Sequence, residues 1–298
     1  MRAHFGRVAL AGVPLCMALA GCSADGGAGA SPNAAESVDS AVRVTPEAKR
    51  EQRPAAPKTP GEFLERARKA MDAEDGWTFA VKGNEGLVLQ GQTSAASYTS
   101  TVRRTQDPEA LHSTGTIVSK GAGKPEEVFV VGGVGYVKEG EAGAGWKKGP
   151  VSDPDIANKV EDPVDALEAF ESYAKAGEGA VELVKADGDV RLQVHVASRR
   201  LAEVEDRPAV EKAVRELEPT LAQLRKAGVT TGESQILLDR LDEVLVLDAK
   251  TFRITSHRFE CSFLIPYQGR TIAYSQDVRE ENRGVFDGDI RLPEGVTP

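Results

Sequence analysis

The sequence has few of the residues that stabilise small secreted proteins covalently. It contains only three cysteines, Cys16, Cys22 and Cys261. Cys16 lies in an N-terminal segment that looks like an export signal, and Cys22 follows it directly. Once the signal is removed and Cys22 is modified, Cys261 has no partner, which excludes an intramolecular disulfide. The folded part must therefore be stabilised by its own hydrophobic core, for which its length is sufficient.

Motifs of the common enzyme classes are also missing. The sequence has no G-x-S-x-G, H-E-x-x-H or C-x-x-C motif and no phosphate-binding G-x-x-x-x-G-K-[ST] loop. Gly133 and Gly135 begin like a dinucleotide fingerprint, but Lys138 stands where the third glycine belongs. We therefore expect no enzyme activity and no cofactor.

Histidines are scarce and scattered. Outside the N-terminal segment there are three, His112, His195 and His257, and their spacing forms no known metal motif. We expect them to be surface or internally satisfied side chains, and we expect no metal site.

Positive charge is in deficit. Without Arg2 and Arg7 of the N-terminal segment, the 37 basic residues become 35 against 46 acidic ones, which gives a formal charge of -11. An acidic surface argues against nucleic acid as a partner and against polybasic attachment to anionic lipid.

The N-terminus has the pattern of an export signal. Arg2 and Arg7 precede an apolar stretch at 8–20, which is shorter than the roughly 20 residues that a helix needs to span a bilayer. The stretch ends in Leu19-Ala20-Gly21-Cys22, which resembles the lipobox of bacterial lipoproteins. The sequence predicts a signal peptide at 1–21, lipidation of Cys22 and a lipid-anchored protein on the extracytoplasmic face of the cell membrane. The alternative is an ordinary signal peptide with a chance cysteine.

A polar linker follows the lipobox. Residues 23–58 are rich in Ala, Gly, Ser, Pro and charge, with no aromatic residue and no periodic apolar pattern. Such a segment cannot bury enough surface to offset its ordering entropy. The sequence predicts a lipidated flexible tether at 22–58 and a single α+β domain at 59–298. An ordered extension packed on the domain is the alternative.

Three helices are predicted in the domain. Thr59, Pro60 and Glu62 form a capping signal for a helix at 60–75. Asp162 and Pro163 open a second helix that Gly177 closes. The third, at 206–227, has one apolar stripe at helical spacing and a proline inside it that should kink or split it. The stripe consists of Val210, Val214, Leu217, Leu221 and Leu224, and the internal proline is Pro219. A further short helix is predicted at 235–241.

Eleven short segments have the character of strands, mostly with period-two patterning. Gly132 and Gly133 indicate a hairpin between two of them. A change of apolar parity in the tenth predicts a bulge near 256–258. The segments are 77–81, 98–104, 111–119, 128–131, 135–138, 143–148, 180–185, 190–196, 244–248, 252–265 and 271–279.

Acidic residues are many but scattered. We assign Asp162 and Asp165 to helix capping rather than to calcium binding, because alternating acids with a glycine and a bidentate glutamate are missing. Glu280-Glu281 and Glu126-Glu127 are interpreted as solvated strand ends. Cys261, on the apolar parity between two phenylalanines, is expected to be a buried, inert thiol.

The order of elements resembles that of the actinobacterial lipid-carrying lipoproteins of the LppX/LprG type. It is more remotely similar to periplasmic carriers that sort lipoproteins. The local likeness lies in Gly135-Tyr136-Val137-Lys138 followed by Gly145-Trp146-Lys147-Lys148. The resemblance implies a strongly curved antiparallel sheet, a half-open barrel, covered by helices on its concave face. It also implies that the space between sheet and helices binds a hydrophobic ligand, a lipid or glycolipid.

Candidate residues for lining such a groove are the large side chains on the apolar parity of their elements. The alternative for each is that it fills a packed core. They are Phe79, Phe129, Tyr136, Phe170, Val194, Phe259, Phe263 and Tyr274.

Two functional hypotheses follow. The first is a membrane-tethered carrier or sensor of a hydrophobic ligand. The second is a ligand-free module that regulates an envelope protein by contact, with the apolar stripe of the 206–227 helix as its docking surface. Burial of that stripe would weaken the second hypothesis.

Overall fold

The computed structural model describes residues 56–140, 144–177, 179–186 and 188–296. The predicted signal peptide, Cys22 and the predicted tether up to residue 55 lie outside these residues, as does part of the 143–148 segment. Within the described ranges, no helix is both long and apolar enough to cross a bilayer.

In the described part of the chain, eleven antiparallel strands form one open sheet. Each predicted strand overlaps one observed strand, although most observed strands are longer. The strands are β1 Gly76–Leu89, β2 Gln92–Gln106, β3 Glu109–Ser119, β4 Ala122–Val131, β5 Val134–Glu139, β6 Lys147–Pro150, β7 Glu182–Ala186, β8 Asp189–Arg200, β9 Leu237–Asp248, β10 Ile254–Tyr267 and β11 Arg270–Val285.

Two meanders make up the sheet. Strands β1 to β6 follow each other as neighbours, and so do β7 to β11. The first strand, β1, pairs with the last, β11, from Trp77 opposite Val285 to Leu89 opposite Ile272. This pairing joins the meanders, so β6 and β7 form the two edges.

Tight turns fix the register of the hairpins. Gly132 and Gly133 both have positive φ, 60° and 77°, which confirms the predicted hairpin between β4 and β5. Both residues also have positive φ in the turns at Gln90-Gly91 and Gln268-Gly269. Two consecutive positive φ values give a turn whose twist matches that of the strands.

Four α-helices lie in the described residues: α1 Pro60–Met71, α2 Pro154–Ala157, α3 Ala166–Lys175 and α4 Pro208–Lys226. The predicted capping box of α1 is confirmed, because Glu62 N donates to Thr59 Oγ1 and Thr59 N donates to Glu62 Oε2. Helix α1 ends at Met71 rather than at 75. The indole of Trp77 and the amide of Gln106 both donate to the Met71 carbonyl at 2.9 Å.

One predicted element differs from the structure. The helix predicted at 235–241 is wrong, because a short 3-10 turn at Glu233–Gln235 leads directly into β9. Pro219 lies inside α4 and does not split it, while the alternative of a kink stays a prediction. The predicted bulge is present and slightly displaced, since the β9–β10 register shifts between Ile254 and Ser256.

Helices α1, α3 and α4 pack against one face of the sheet, which we call the helix-covered face. Alternate residues of β1, including Trp77, Phe79 and Val81, join the core on this side. Helix α1 contributes Leu64 and Met71 to the same core. The fold is thus one large antiparallel sheet with helices on one side. That this side is the concave one stays a prediction.

Candidate functional site

Six of the eight predicted groove residues lie in one packed core on the helix-covered face. None of them exposes more than 6% of its surface. The aromatic rings of Phe170 and Tyr173 lie 5.4 Å apart, and those of Phe263 and Tyr274 lie 6.3 Å apart. The structure gives these residues a packing role, and their contact with a ligand stays a prediction. The six are Phe79, Phe170, Val194, Phe259, Phe263 and Tyr274.

Phe129 and Tyr136 lie instead on the opposite face of the sheet. They are cross-strand partners on β4 and β5, and their neighbours Val128 and Val137 belong to the core. Because successive strand residues point to opposite faces, Phe129 and Tyr136 point away from the helices. Phe129 stacks on His112, with ring centroids 4.1 Å apart. They are buried, but separately from the other six.

A groove runs between α1 and the C-terminal end of α3, beside edge strand β7. We call it the α1–α3 groove, and its volume is about 800 Å³. This volume falls within the roughly 300–1,000 Å³ that small-molecule sites occupy. Its apolar lining consists of Pro60, Leu64, Ala174, Val181 and Leu183. None of the eight predicted residues lines it.

Charged residues border this apolar lining. Lys58, Arg68 and Lys175 contribute positive charge, and Arg68 Nε forms an ion pair with Glu171 Oε1 at 2.7 Å. The groove also includes Lys58 and Thr59, so it lies beside the first described residues of the chain.

The apolar stripe of α4 faces the core. Val210, Leu217 and Leu221 are buried, and Val214 and Leu224 are partly buried against the same cluster. A buried stripe cannot serve as an exposed docking surface, which weakens the hypothesis of a contact-only regulatory module.

A network of buried charges interrupts the core beneath α3 and α4. Glu243 on β9 is completely buried. Its carboxylate forms an ion pair with Lys212 of α4 and accepts a hydrogen bond from Tyr173 Oη of α3 at 2.9 Å. His257 Nε2 lies 2.8 Å from the same carboxylate. One side chain of the sheet thereby connects both helices.

His257 also bonds a second buried carboxylate. Its Nδ1 lies 2.7 Å from Glu280 Oε2, and the two residues are directly opposite each other on β10 and β11. With both ring nitrogens facing carboxylates, the imidazolium form is the one that donates to both.

These contacts shift both titrations. Burial alone would raise the pKa of Glu243, but the charges of Lys212 and His257 lower it to about 2. Burial alone would lower the pKa of His257, but Glu280 and Glu243 raise it above its ordinary value. The network therefore keeps its ionised form.

Sequence reasoning missed this network. Glu280 was interpreted as a solvated strand end, yet it is 3% exposed. The sequence signal that could have revealed Glu243 is its position in the alternating pattern of its strand. Glu243 alternates with Leu241, Leu245 and Leu247 on β9, so it occupies a position of the apolar face.

A second depression, the α3–α4 cleft, lies above the network and has a volume of about 240 Å³. Its walls come from the loop before α3, from α3 itself and from the N-terminal half of α4. His257 and Glu280 line it, as does Asp165. Asp162 caps the turn before α3 as predicted, with Val164 N donating to its carboxylate at 3.0 Å. Asp165 occupies the N-cap position of α3, as predicted, but its side chain makes no capping hydrogen bond.

Two further predictions concern reactive groups. Cys261 is a buried free thiol, as predicted. Among the described residues, no group of three or more His, Cys, Asp or Glu is arranged to hold a metal ion.

No protein-family model matches the sequence, and no curated protein matches it. Alignment with a solved DUF1329 family protein from Desulfovibrio piger ATCC 29098 covers 76% of this chain and 94% of that chain, at 11% identity and a TM-score of 0.29. Alignment with a putative outer membrane lipoprotein-sorting protein domain from Vibrio parahaemolyticus covers 80% of this chain and 95% of that chain, at 11% identity and a TM-score of 0.26. Alignment with a beta-barrel-like DUF1849 protein from Brucella abortus covers 70% of this chain and 98% of that chain, at 7% identity and a TM-score of 0.24. With TM-scores below 0.5, these likenesses carry no functional weight.

Proposed function

We propose that this protein is a membrane-tethered, extracytoplasmic lipoprotein that binds a hydrophobic ligand, a lipid or glycolipid, in the α1–α3 groove. The observation that supports this proposal is the groove itself, which combines about 800 Å³ of space with an apolar lining. The proposed role is that of a carrier or sensor, and it assigns no catalytic step to the protein.

Binding would rest on burial of acyl chains. Each methylene removed from water contributes about 0.8 kcal/mol. Leu64, Val181 and Leu183 would contact the chain, while Lys58 and Lys175 near the mouth would attract an anionic headgroup. Arg68 is already paired with Glu171 and would contribute less.

The position of the groove suits a protein anchored through Cys22. Thr59 and Pro60 line the groove and directly follow the predicted tether. A tether of about 36 residues with random-coil statistics has an average span of roughly 30–35 Å. The groove mouth would therefore remain within reach of the membrane from which a lipid is taken.

Native mass spectrometry of the purified full chain tests the proposal, combined with organic extraction of bound lipid. We expect co-purifying lipid in the wild type and a loss of most of it in Ala174→Trp, where the indole fills the groove. Ala169→Trp is the matched control, because Ala169 is a half-buried alanine of the same helix that lines the α3–α4 cleft instead. Absence of lipid from the wild type, or equal loss in both variants, would contradict the proposal.

A further inference from the structure

The α3–α4 cleft carries a carboxylate without a partner. Asp165 lines the cleft, and its side chain forms no hydrogen bond or ion pair with any described residue. Its Oδ2 atom is enclosed, although the residue as a whole keeps partial exposure. A buried acceptor left unsatisfied costs about 1–3 kcal/mol, so such an atom calls for a donor from outside the chain.

The surroundings of Asp165 are rich in negative charge. Glu168 of α3 and Glu211 of α4 line the same cleft, are exposed and have no partner among the described side chains. Arg215 is the exposed cation of the lining, and Lys212 is committed to Glu243. The cleft lining therefore has more unpaired carboxylates than unpaired cations.

Each of the remaining carboxylates that line the cleft forms an ion pair or a hydrogen bond with another side chain. The partners are Arg104 for Asp162, His257 for Glu280, Tyr98 for Glu161 and Gln276 for Glu216. Asp165 differs from these neighbours because its enclosed Oδ2 has no such bond, although the charge of Arg104, which is paired with Asp162, also acts on it.

We propose that the α3–α4 cleft is a second binding site, for a small organic cation whose primary ammonium group donates to Asp165. An ammonium group supplies three donors and a positive charge, and an enclosed carboxylate without a donor or an ion-pair partner can use both. A second ammonium group a few carbons away would lie near Glu168 and Glu211. A volume of about 240 Å³ is suited to a short diamine rather than to a lipid. The site is independent of the α1–α3 groove.

Proton release is a distinctive consequence of this geometry. Burial, together with the neighbouring charge of Asp162, raises the pKa of Asp165 well above its ordinary range, against the opposing effect of Arg104. A bound cation favours the ionised form, so at a pH where the empty site is protonated, binding expels that proton. Affinity should therefore increase with pH, by at most about tenfold per unit for one linked proton.

Isothermal titration calorimetry on the full chain, with 1,4-diaminobutane as the probe, tests this site. Measurement at one pH in two amine-free buffers of different ionisation enthalpy counts the released protons. We expect one saturable site with up to one proton released, and no saturable binding of the isosteric neutral diol, 1,4-butanediol.

Variants locate the site. Asp165→Asn should weaken diamine binding at least about tenfold, as expected for loss of a charged hydrogen bond, and abolish proton release. Glu168→Gln with Glu211→Gln, both at exposed positions where folding is not threatened, should weaken it severalfold. Glu218→Gln is the control, since Glu218 is an exposed residue of α4 that pairs with Arg225 outside the cleft.

Three results would overturn the proposal: no saturable diamine binding by the wild type, equal binding of the diol, or unchanged binding in Asp165→Asn. If Asp165→Asn does not fold, unchanged binding in the Glu168→Gln, Glu211→Gln variant overturns it instead.

Discussion

At the scale of single residues, Glu243 bonds side chains of α3 and α4 and so links both helices to the sheet. It is a completely buried carboxylate in an apolar row, and it is stabilised by Lys212, His257 and Tyr173. Burying an ion pair gains little over an apolar pair of similar size, but removing one partner leaves an uncompensated buried charge. The network therefore acts as a specific attachment point.

Replacing Glu243 by Gln should lower the free energy of unfolding by about 3–5 kcal/mol, because Lys212 loses its buried counter-charge and His257 keeps only that of Glu280. Urea denaturation followed by circular dichroism measures this. Asp242→Asn is the matched control. Asp242 is the adjacent carboxylate and is likewise paired with a histidine, His195, and a cation, Arg240, but on the solvent-exposed side. We expect it to cost at most about 1 kcal/mol. Equal effects would argue against a structural role for the buried network.

The contribution of Glu243 should depend on pH in two directions. Its folded pKa of about 2 lies below the ordinary 4.5, so its stabilisation is complete above pH 4.5 and is lost as the pH falls towards 2. The pKa of His257 is raised above 6.5, so its stabilisation is complete below pH 6.5 and is lost as the pH rises through the folded value.

The difference in unfolding free energy between wild type and Glu243→Gln should accordingly be largest between about pH 4.5 and 6.5. Urea titrations of both proteins measure this difference. They are run at about pH 3, 4, 5.5 and 8, which lie below, within and above that pH range. A difference that stays constant over this range would show that the network does not titrate as the structure implies.

At the scale of elements, local signals in the sequence predicted much of the fold. The Thr59 capping box, the Gly132-Gly133 hairpin and the alternation of β8 and β10 are short-range patterns, and the structure has each of them. The helix predicted at 235–241 failed because a short apolar run has no period that separates helix from strand. Residues 237–241 form a strand because β9 is hydrogen-bonded to both β8 and β10.

What sequence could not predict are features that depend on the relative placement of helices. The α1–α3 groove is bordered by Leu64 of α1, Ala174 of α3 and Leu183 of β7, which lie far apart in the chain. No periodicity in one element indicates such a gap. Likewise, whether Asp165 caps a helix or faces a cleft depends on where α4 lies.

Helix α4 offers a test of how the elements pack. Leu217→Ala should lower the free energy of unfolding by about 2–5 kcal/mol, because Leu217 is fully buried between the helix and the core. Leu224→Ala, at a partly buried position of the same stripe, should cost roughly half of that or less. Chemical denaturation of both variants measures the difference. Small, equal effects would indicate that the stripe faces solvent.

At the scale of the whole molecule, the sheet is a single surface whose two halves are joined by β1 and β11. Helices cover one face, and the α1–α3 groove lies at the β7 edge, next to Thr59 and Pro60 near the start of the described residues. The core between sheet and helices contains large side chains such as Phe170 and Phe259. We therefore propose that the ligand binds at this margin of the helical layer, since the protein's own side chains fill the middle of the core.

Nuclear magnetic resonance of the full chain with a spin-labelled fatty acid, 5-doxyl stearic acid, tests this placement most directly. We expect saturable broadening of the methyl resonances of Leu64, Val181 and Leu183, and none for Val88 and Val118, which are exposed valines outside the groove. Broadening that is absent, or equal at the groove and at the two exposed valines, would contradict a hydrophobic ligand site between α1 and α3.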